Sequence, residues 1–125
     1  MACGARVVSR RVVAVARLGD GLLVLEEDGR WRLPSAPCRE DTARTAARVC
    51  AALLGVRTGP SRCACLLEDG DETVVVRSAR VERWLHRVHG VRAVNCVELD
   101  RAVRDGRVSD VPTLAAWMRM RDLFA

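Results

Sequence analysis

His86 and His89 stand three residues apart in the stretch RWLHRVHG, and Glu68, Asp69, Asp71 and Glu72 crowd around Gly70. These are the first places to look for chemistry. On a helix the two imidazoles would share a face and could hold a metal or pass a proton. No third ligand lies near them in sequence, so they read better as surface or helix-end histidines, whose positive charge suits a helix C-terminus before Gly90. The four acids read as a solvated hairpin tip. Six cysteines (Cys3, Cys38, Cys50, Cys63, Cys65 and Cys96) form no CxxC pair, and Cys63 and Cys65 are one residue apart, which does not suit a zinc site. Most lie in apolar runs such as ARVCAAL, RCACLL and VNCVEL, where a free thiol behaves as a small hydrophobe. Buried, reduced thiols are the expectation.

All 21 basic residues are arginine, and they outweigh the acids to give a net charge of +5. Arginine's planar fork fits phosphate better than lysine's ammonium does. The arginines are scattered, however, so a solvated mixed-charge surface competes with an anion- or RNA-binding face. Stacking platforms for single strands are few, with Trp31, Trp84, Trp117 and Phe124 as the rings. Trp84 and Trp117 sit among aliphatic residues at helical spacing and are expected to anchor a core or an interface.

The elements that must position these residues follow from punctuation and period. The 125 residues suit one domain over 1–125, with 1–10 as an N-terminal extension. Residues 11–18 and 22–26 are aliphatic runs around Gly19-Asp20-Gly21, a hairpin signal. Asp28-Gly29 turns into a short strand, 30–33, and residues 35–40 read as a loop after Pro34. From Asp41 to Leu54 the period becomes helical, with Ala43, Ala46, Ala47, Cys50 and Leu54 in one stripe. Asp41 or Thr42 caps its start and Gly55 its end. Strands are expected at 63–67, 73–78 and 91–97. Helical segments are expected at 80–88, at 99–105 and, after Asp110 as cap, at 111–123. The outcome is an α/β fold, a mixed β-sheet flanked by helices. No apolar run is long enough to cross a membrane and the N-terminus does not read as a signal peptide, so a cytoplasmic protein with no membrane partner is expected.

The stretch GDGLLVLEEDGRWRLPSAPCREDTARTAARVCAALLGV resembles the core of a Nudix hydrolase. Trp31-Arg32-Leu33-Pro34 matches the approach to the family's box, Glu40 its first glutamate, Ala46-Ala47 the paired alanines, Arg48 the arginine, and Gly55-Val56 the closing glycine and aliphatic. Residues 97–124 are similar to the tail of the ADP-ribose pyrophosphatase branch, so the resemblance runs over roughly residues 11–124. It implies a Nudix-like mixed β-sheet sandwiched between helices, and a structural ion pair between Glu40 and Arg48.

It also implies what is missing. The family cleaves a diphosphate with magnesium or manganese held by box-helix glutamates, because the anion must be neutralised and water activated. At the matching positions stand Val49, Ala52 and Leu53, none with a side-chain oxygen. Ser35-Ala36 replace the family's two glycines, and the approach to Glu40 is shortened. Three readings follow. A catalytically inactive domain, needing no cofactor, binds a nucleotide, a nucleoside-diphosphate derivative or an RNA end, with Trp31, Arg32 and Arg39 as candidate contacts. Alternatively, Val49, Ala52 and Leu53 form an apolar face for a protein partner or homodimer, in a regulatory interaction module. The third is an active hydrolase with relocated ligands for magnesium or manganese, drawn from acids such as Glu40, Asp41 and the Gly70 turn.

Overall fold

A computed structural model describes residues 9–121. The expected extension at 1–10 therefore falls largely outside the described residues, as do Cys3 and the end of the last helix, and Ser9 and Arg10 already belong to a strand. The elements run β1 (Ser9–Leu18), β2 (Gly21–Glu27), β3 (Arg30–Arg32), β4 (Ser35–Cys38), α1 (Thr42–Val49) continued by a π-helical turn (Cys50–Leu54), β5 (Val56–Thr58), β6 (Arg62–Asp69), β7 (Glu72–Trp84), β8 (Val91–Asn95), α2 (Cys96–Arg104) and α3 (Val111–Met120).

The five residues Val12–Ala16 are all buried, which a strand manages only when both of its faces are covered. β1 accordingly lies at the centre, paired in parallel with β7 from Ser9↔Glu72 to Arg17↔Arg80. The other strand pairs are antiparallel: β2 and β4 on β1, β3 and β8 on β2, β5 and β6 on β7. Alternation sends Val13 and Val15 to one face, where they meet Leu99, Ala102, Ala116, Trp117 and Met120 of α2 and α3. Val12, Ala14 and Ala16 go to the other face, against Ala46, Val49, Cys50 and Leu54 of α1 and its π turn. The result is a mixed sheet between two helical layers, a Nudix-like α/β fold.

Local chemistry sets most of the boundaries. Asp28 and Gly29 both take positive φ (52° and 76°), the geometry of a two-residue type I′ hairpin turn, which Asp-Gly favours. Asp41 caps α1 by accepting from Ala43 N at 3.0 Å. Asn95 and Glu98 form a reciprocal capping box on α2, and Asp110 accepts from both Thr113 N and Thr113 Oγ1 at the start of α3.

Four expectations are corrected. Residues 35–38 are not loop: Ser35–Cys38 pairs with β1 from Arg10↔Cys38 to Val13↔Ser35, and Pro37 is tolerated because β4 lies at an edge. Residues 80–84 are not helical: β1 pairs β7 as far as Arg80 and β5 takes over from Val81 to Trp84, and this pairing overrides the helix-like spacing of Val81, Trp84, Leu85 and Val88. The capping box starts α2 at Cys96, so β8 stops at Asn95 rather than at residue 97. The buried stripe of α1 is Thr45, Ala46, Val49, Cys50 and Leu54, while Ala47 faces solvent. The cysteines divide likewise: Cys38 and Cys50 are buried, Cys65 and Cys96 partly so, and Cys63 is exposed.

Candidate ligand-binding site

The loop into α1 is tied down by short polar contacts. Arg48 Nη1 lies 2.7 Å from Glu40 Oε1. Thr45, fully buried, donates to the same carboxylate at 3.5 Å and lies 3.2 Å from the Cys38 thiol, which in turn donates to Glu40 O at 3.0 Å. From the sheet side, Arg77 reaches Thr42 Oγ1 at 3.2 Å and holds Ser61 through its Nε (2.7 Å) and Nη2 (2.9 Å). Arg11 spans Glu72 (2.9 Å) and Ser35 (3.2 Å) beneath β4. Glu40 and Arg48 thus act on the shape of this segment.

One turn further the helix is apolar. Val49 is 4 % exposed and packs in the core with Val12, Ala14 and Leu54; Leu53 is half-buried against the same cluster, and Ala52 faces solvent. The three do not make an open apolar patch, because the sheet takes Val49 and most of Leu53. Nor do they suit magnesium or manganese, which require oxygen ligands that valine, alanine and leucine lack. Among the described residues no group of three His, Cys, Asp or Glu side chains is placed to hold a metal. The acids Glu40 and Asp41 are engaged as ion-pair partner and helix cap.

The helix ends at Gly55, where φ is +70°; a Cβ there would lie 2.3 Å from His86 O and 2.9 Å from Val88 Cγ2. The contact is close because Gly55 O accepts from Leu85 N (2.8 Å) and His86 N (3.3 Å), docking residues 85–90 on the helix end. This segment, with Trp84, Val91 and Ala93, encloses a cleft of about 690 Å³. Trp84 (52 % exposed) and Leu85 (45 %) form an apolar wall, and His86, Arg87 and His89 are exposed polar groups around it. Among the described residues none of these three side chains has a hydrogen-bond or ion-pair partner. The cleft therefore joins an aromatic surface to hydrogen-bond donors that no described residue occupies.

Trp31 and Arg32 line a separate cleft of about 370 Å³ with Arg30, Asp28, Ser109 and Asp110. Trp31 is only 4 % exposed; its indole N–H donates to Glu26 at 2.6 Å, and Arg92 lies over its ring at 5.2 Å from the centroid while contacting Glu26 at 3.0 Å. The Trp31 hydrogen bond, followed by Arg92, holds the Glu26 carboxyl below its usual range. Trp31 thus works mainly as the centre of a Glu26–Arg92 clamp. Arg39 is exposed and borders neither cleft. The structure brings Glu40 to Arg48 and Trp31 to Arg32, and leaves Arg39 apart.

The cleft between residues 84 and 93 was missed because 80–88 read as a helix, which would have turned Trp84 to a different face from His86 and His89. Gly90, with φ of +86° just before β8, was the available signal of a loop. Trp84 is a cleft wall and Trp117 a core residue, whose indole donates to Asp100 at 2.5 Å.

No family model matches the chain, and no curated protein matches it. Solved structures do. An ADP compounds hydrolase superposes with a TM-score of 0.76 at 12 % identity, over 95 % of this chain and 74 % of its own. A Nudix hydrolase from Nitrosomonas europaea gives 0.69 at 14 % identity, over 91 % and 88 %. An ADP-ribose pyrophosphatase from Streptococcus suis gives 0.62 at 14 % identity, over 72 % and 75 %. At such identities the likeness is one of fold, and it is consistent across these Nudix-type hydrolases.

Proposed function

We propose that this chain is a catalytically silent Nudix-like domain that binds a nucleoside-diphosphate derivative without a divalent metal, in the cleft at the C-terminal end of the box helix. The observation that carries the reading is the contrast within one helix. The Glu40–Arg48 pair that shapes the motif meets at 2.7 Å, while the three positions where the resemblance implies metal ligands are apolar, with Val49 inside the core. A diphosphate can be held instead by Arg87 and the two histidines through charge-assisted hydrogen bonds, with a base or ribose against Trp84 and Leu85. An RNA 5′ end carries the same chemistry. The neighbouring hydrolases, one of them described as acting on ADP compounds, support the ligand class. The interaction-module reading is weakened because Val49 and Leu53 are largely spent on the core.

The deciding experiment is a thermal-shift panel of ADP-ribose, nucleoside diphosphates and capped RNA, each in EDTA and in magnesium. Binding to the native state alone raises stability by about 2.7 kcal/mol at a ligand concentration a hundredfold above Kd, which is readily seen. A shift that persists in EDTA and is lost in Arg87→Gln and Trp84→Ala is the expected result. A shift that needs magnesium and is followed by ligand hydrolysis would instead establish an active enzyme with relocated ligands. No shift from any member refutes the binding reading.

A further inference from the structure

The face of the sheet opposite α1 carries a group of arginines that no acid among the described residues holds. The parallel β1–β7 register pairs Val13 with Val76, Val15 with Ser78 and Arg17 with Arg80, and β6 sets Arg62 beside Ser78. Val13, Val15, Val74 and Val76 belong to the core beneath α2 and α3, so alternation places Arg17, Arg80, Ser78 and Arg62 on that same face, beyond its apolar rows. Adjacent strands lie about 4.8 Å apart, which brings Arg17 and Arg80 side by side, with Arg62 diagonal to Arg80.

This arrangement is unfavourable unless something sits on it. Like charges directly opposite on neighbouring strands repel. The Nε of Arg17 is buried and has no hydrogen-bond partner. Its in-register neighbours are Leu22 on β2 and Arg80 on β7, one apolar and the other a donor without lone pairs, so neither can accept. Among the described residues no hydrogen bond or ion pair reaches the side chains of Arg17, Arg62 or Arg80. The acid two residues along β7, Glu82, lies 4.0 Å from Arg57 instead.

We infer that Arg17, Arg80, Arg62 and the Ser78 hydroxyl form a binding site for a phosphate group, on the side of the sheet opposite the box helix and separate from the cleft at residues 84–93. A tetrahedral oxyanion has enough acceptor oxygens to take the outer guanidinium N–H groups of Arg17, a fork of donors from Arg80, and single bonds from Arg62 and Ser78, while the Arg17 Nε stays buried behind them. It would also cancel the repulsion within the arginine pair. The ligand class is inorganic phosphate or a small phosphomonoester.

The test is calorimetric titration of the full chain with inorganic phosphate and with ribose 5-phosphate, against sodium chloride at equal ionic strength. Arg80→Gln, an exposed position, should weaken both phosphates about tenfold or more, the scale of a lost charge-assisted hydrogen bond. Arg17→Met keeps the aliphatic stem while removing the guanidinium and its buried, unsatisfied Nε, and should raise the melting temperature of the ligand-free chain while abolishing its response to phosphate. Arg87→Gln, in the other cleft, should leave phosphate affinity unchanged, so this site and the proposed nucleotide cleft stand or fall separately. A response matched by chloride, or a phosphate affinity unaltered by both Arg80→Gln and Arg62→Gln, would overturn the assignment. So would loss of that affinity in Arg87→Gln alone.

Discussion

A glutamate placed at position 49 should damage the fold rather than create a metal site. Val49 is 4 % exposed and packs between β1 and the π turn, so Val49→Glu forfeits about 1.5–3 kcal/mol of apolar burial. The carboxyl entering that pocket has no partner there and must stay protonated or force its way out. Keeping it neutral near pH 7 means raising its pKa by about 3 units, or about 4 kcal/mol. Partial escape toward solvent lowers the sum, and a net loss of about 3–6 kcal/mol is expected, a large part of a typical domain's stability. Ala52→Glu, on the exposed side of the same turn, should change stability by no more than about 0.5 kcal/mol. The assay is urea denaturation at pH 5 and pH 8, with and without magnesium. The sign of the pH effect is fixed: a carboxyl whose folded pKa lies above its unfolded value binds more protons in the native state, so its destabilisation is small at acid pH and grows as pH rises through the folded pKa. Val49→Glu that matches the parent at pH 8, or gains stability from magnesium, would refute the placement of Val49 in the core and with it the argument for lost chemistry.

Two further outcomes follow from the geometry. Gly55→Ala combines positive φ with a Cβ 2.3 Å from His86 O; it should cost about 2–4 kcal/mol, and hydrogen exchange of the Leu85 and His86 amides should accelerate as the 84–93 cleft comes away from the helix end. Burial pushes the Cys50 thiol up to about 12, so with iodoacetamide at pH 8 Cys63 should alkylate quickly while Cys38 and Cys50 stay protected until urea unfolds the chain; mass spectrometry of the digested protein separates the sites.

What could be read from the sequence was mainly what neighbours along the chain decide. Gly19-Asp20 and Asp28-Gly29 specify their hairpins because a two-residue turn needs particular φ angles whatever it later packs against. Asp41 and Asp110 mark helix starts for an equally local reason. The approach Trp31-Arg32-Leu33-Pro34 and the spacing from Glu40 to Arg48 to Gly55 carried the Nudix-like fold, since that spacing sets how a helix meets a sheet. Residues 80–84 failed because their type admits either period, and only pairing with β1 up to Arg80 and with β5 from Val81 to Trp84 makes them a strand.

The candidate cleft was hidden for the same reason, and the hidden part changes the functional argument. With residues 80–88 helical, the two histidines are ornaments of a helix end, and any ligand must be sought around Trp31. With β7 run out to Trp84, the chain turns back on Gly55 and places His86, Arg87 and His89 at the end of the box helix. Trp31 is meanwhile committed to Glu26 and Arg92. On the proposed reading, the apolar positions of that helix and the unpaired polar side chains of this loop belong to one region. A diphosphate bound without magnesium must be neutralised some other way, and guanidinium and imidazole are the groups this region supplies. If the nucleotide shift survives EDTA but disappears with Arg87, the side chains of this loop do the work that the resemblance assigns to metal.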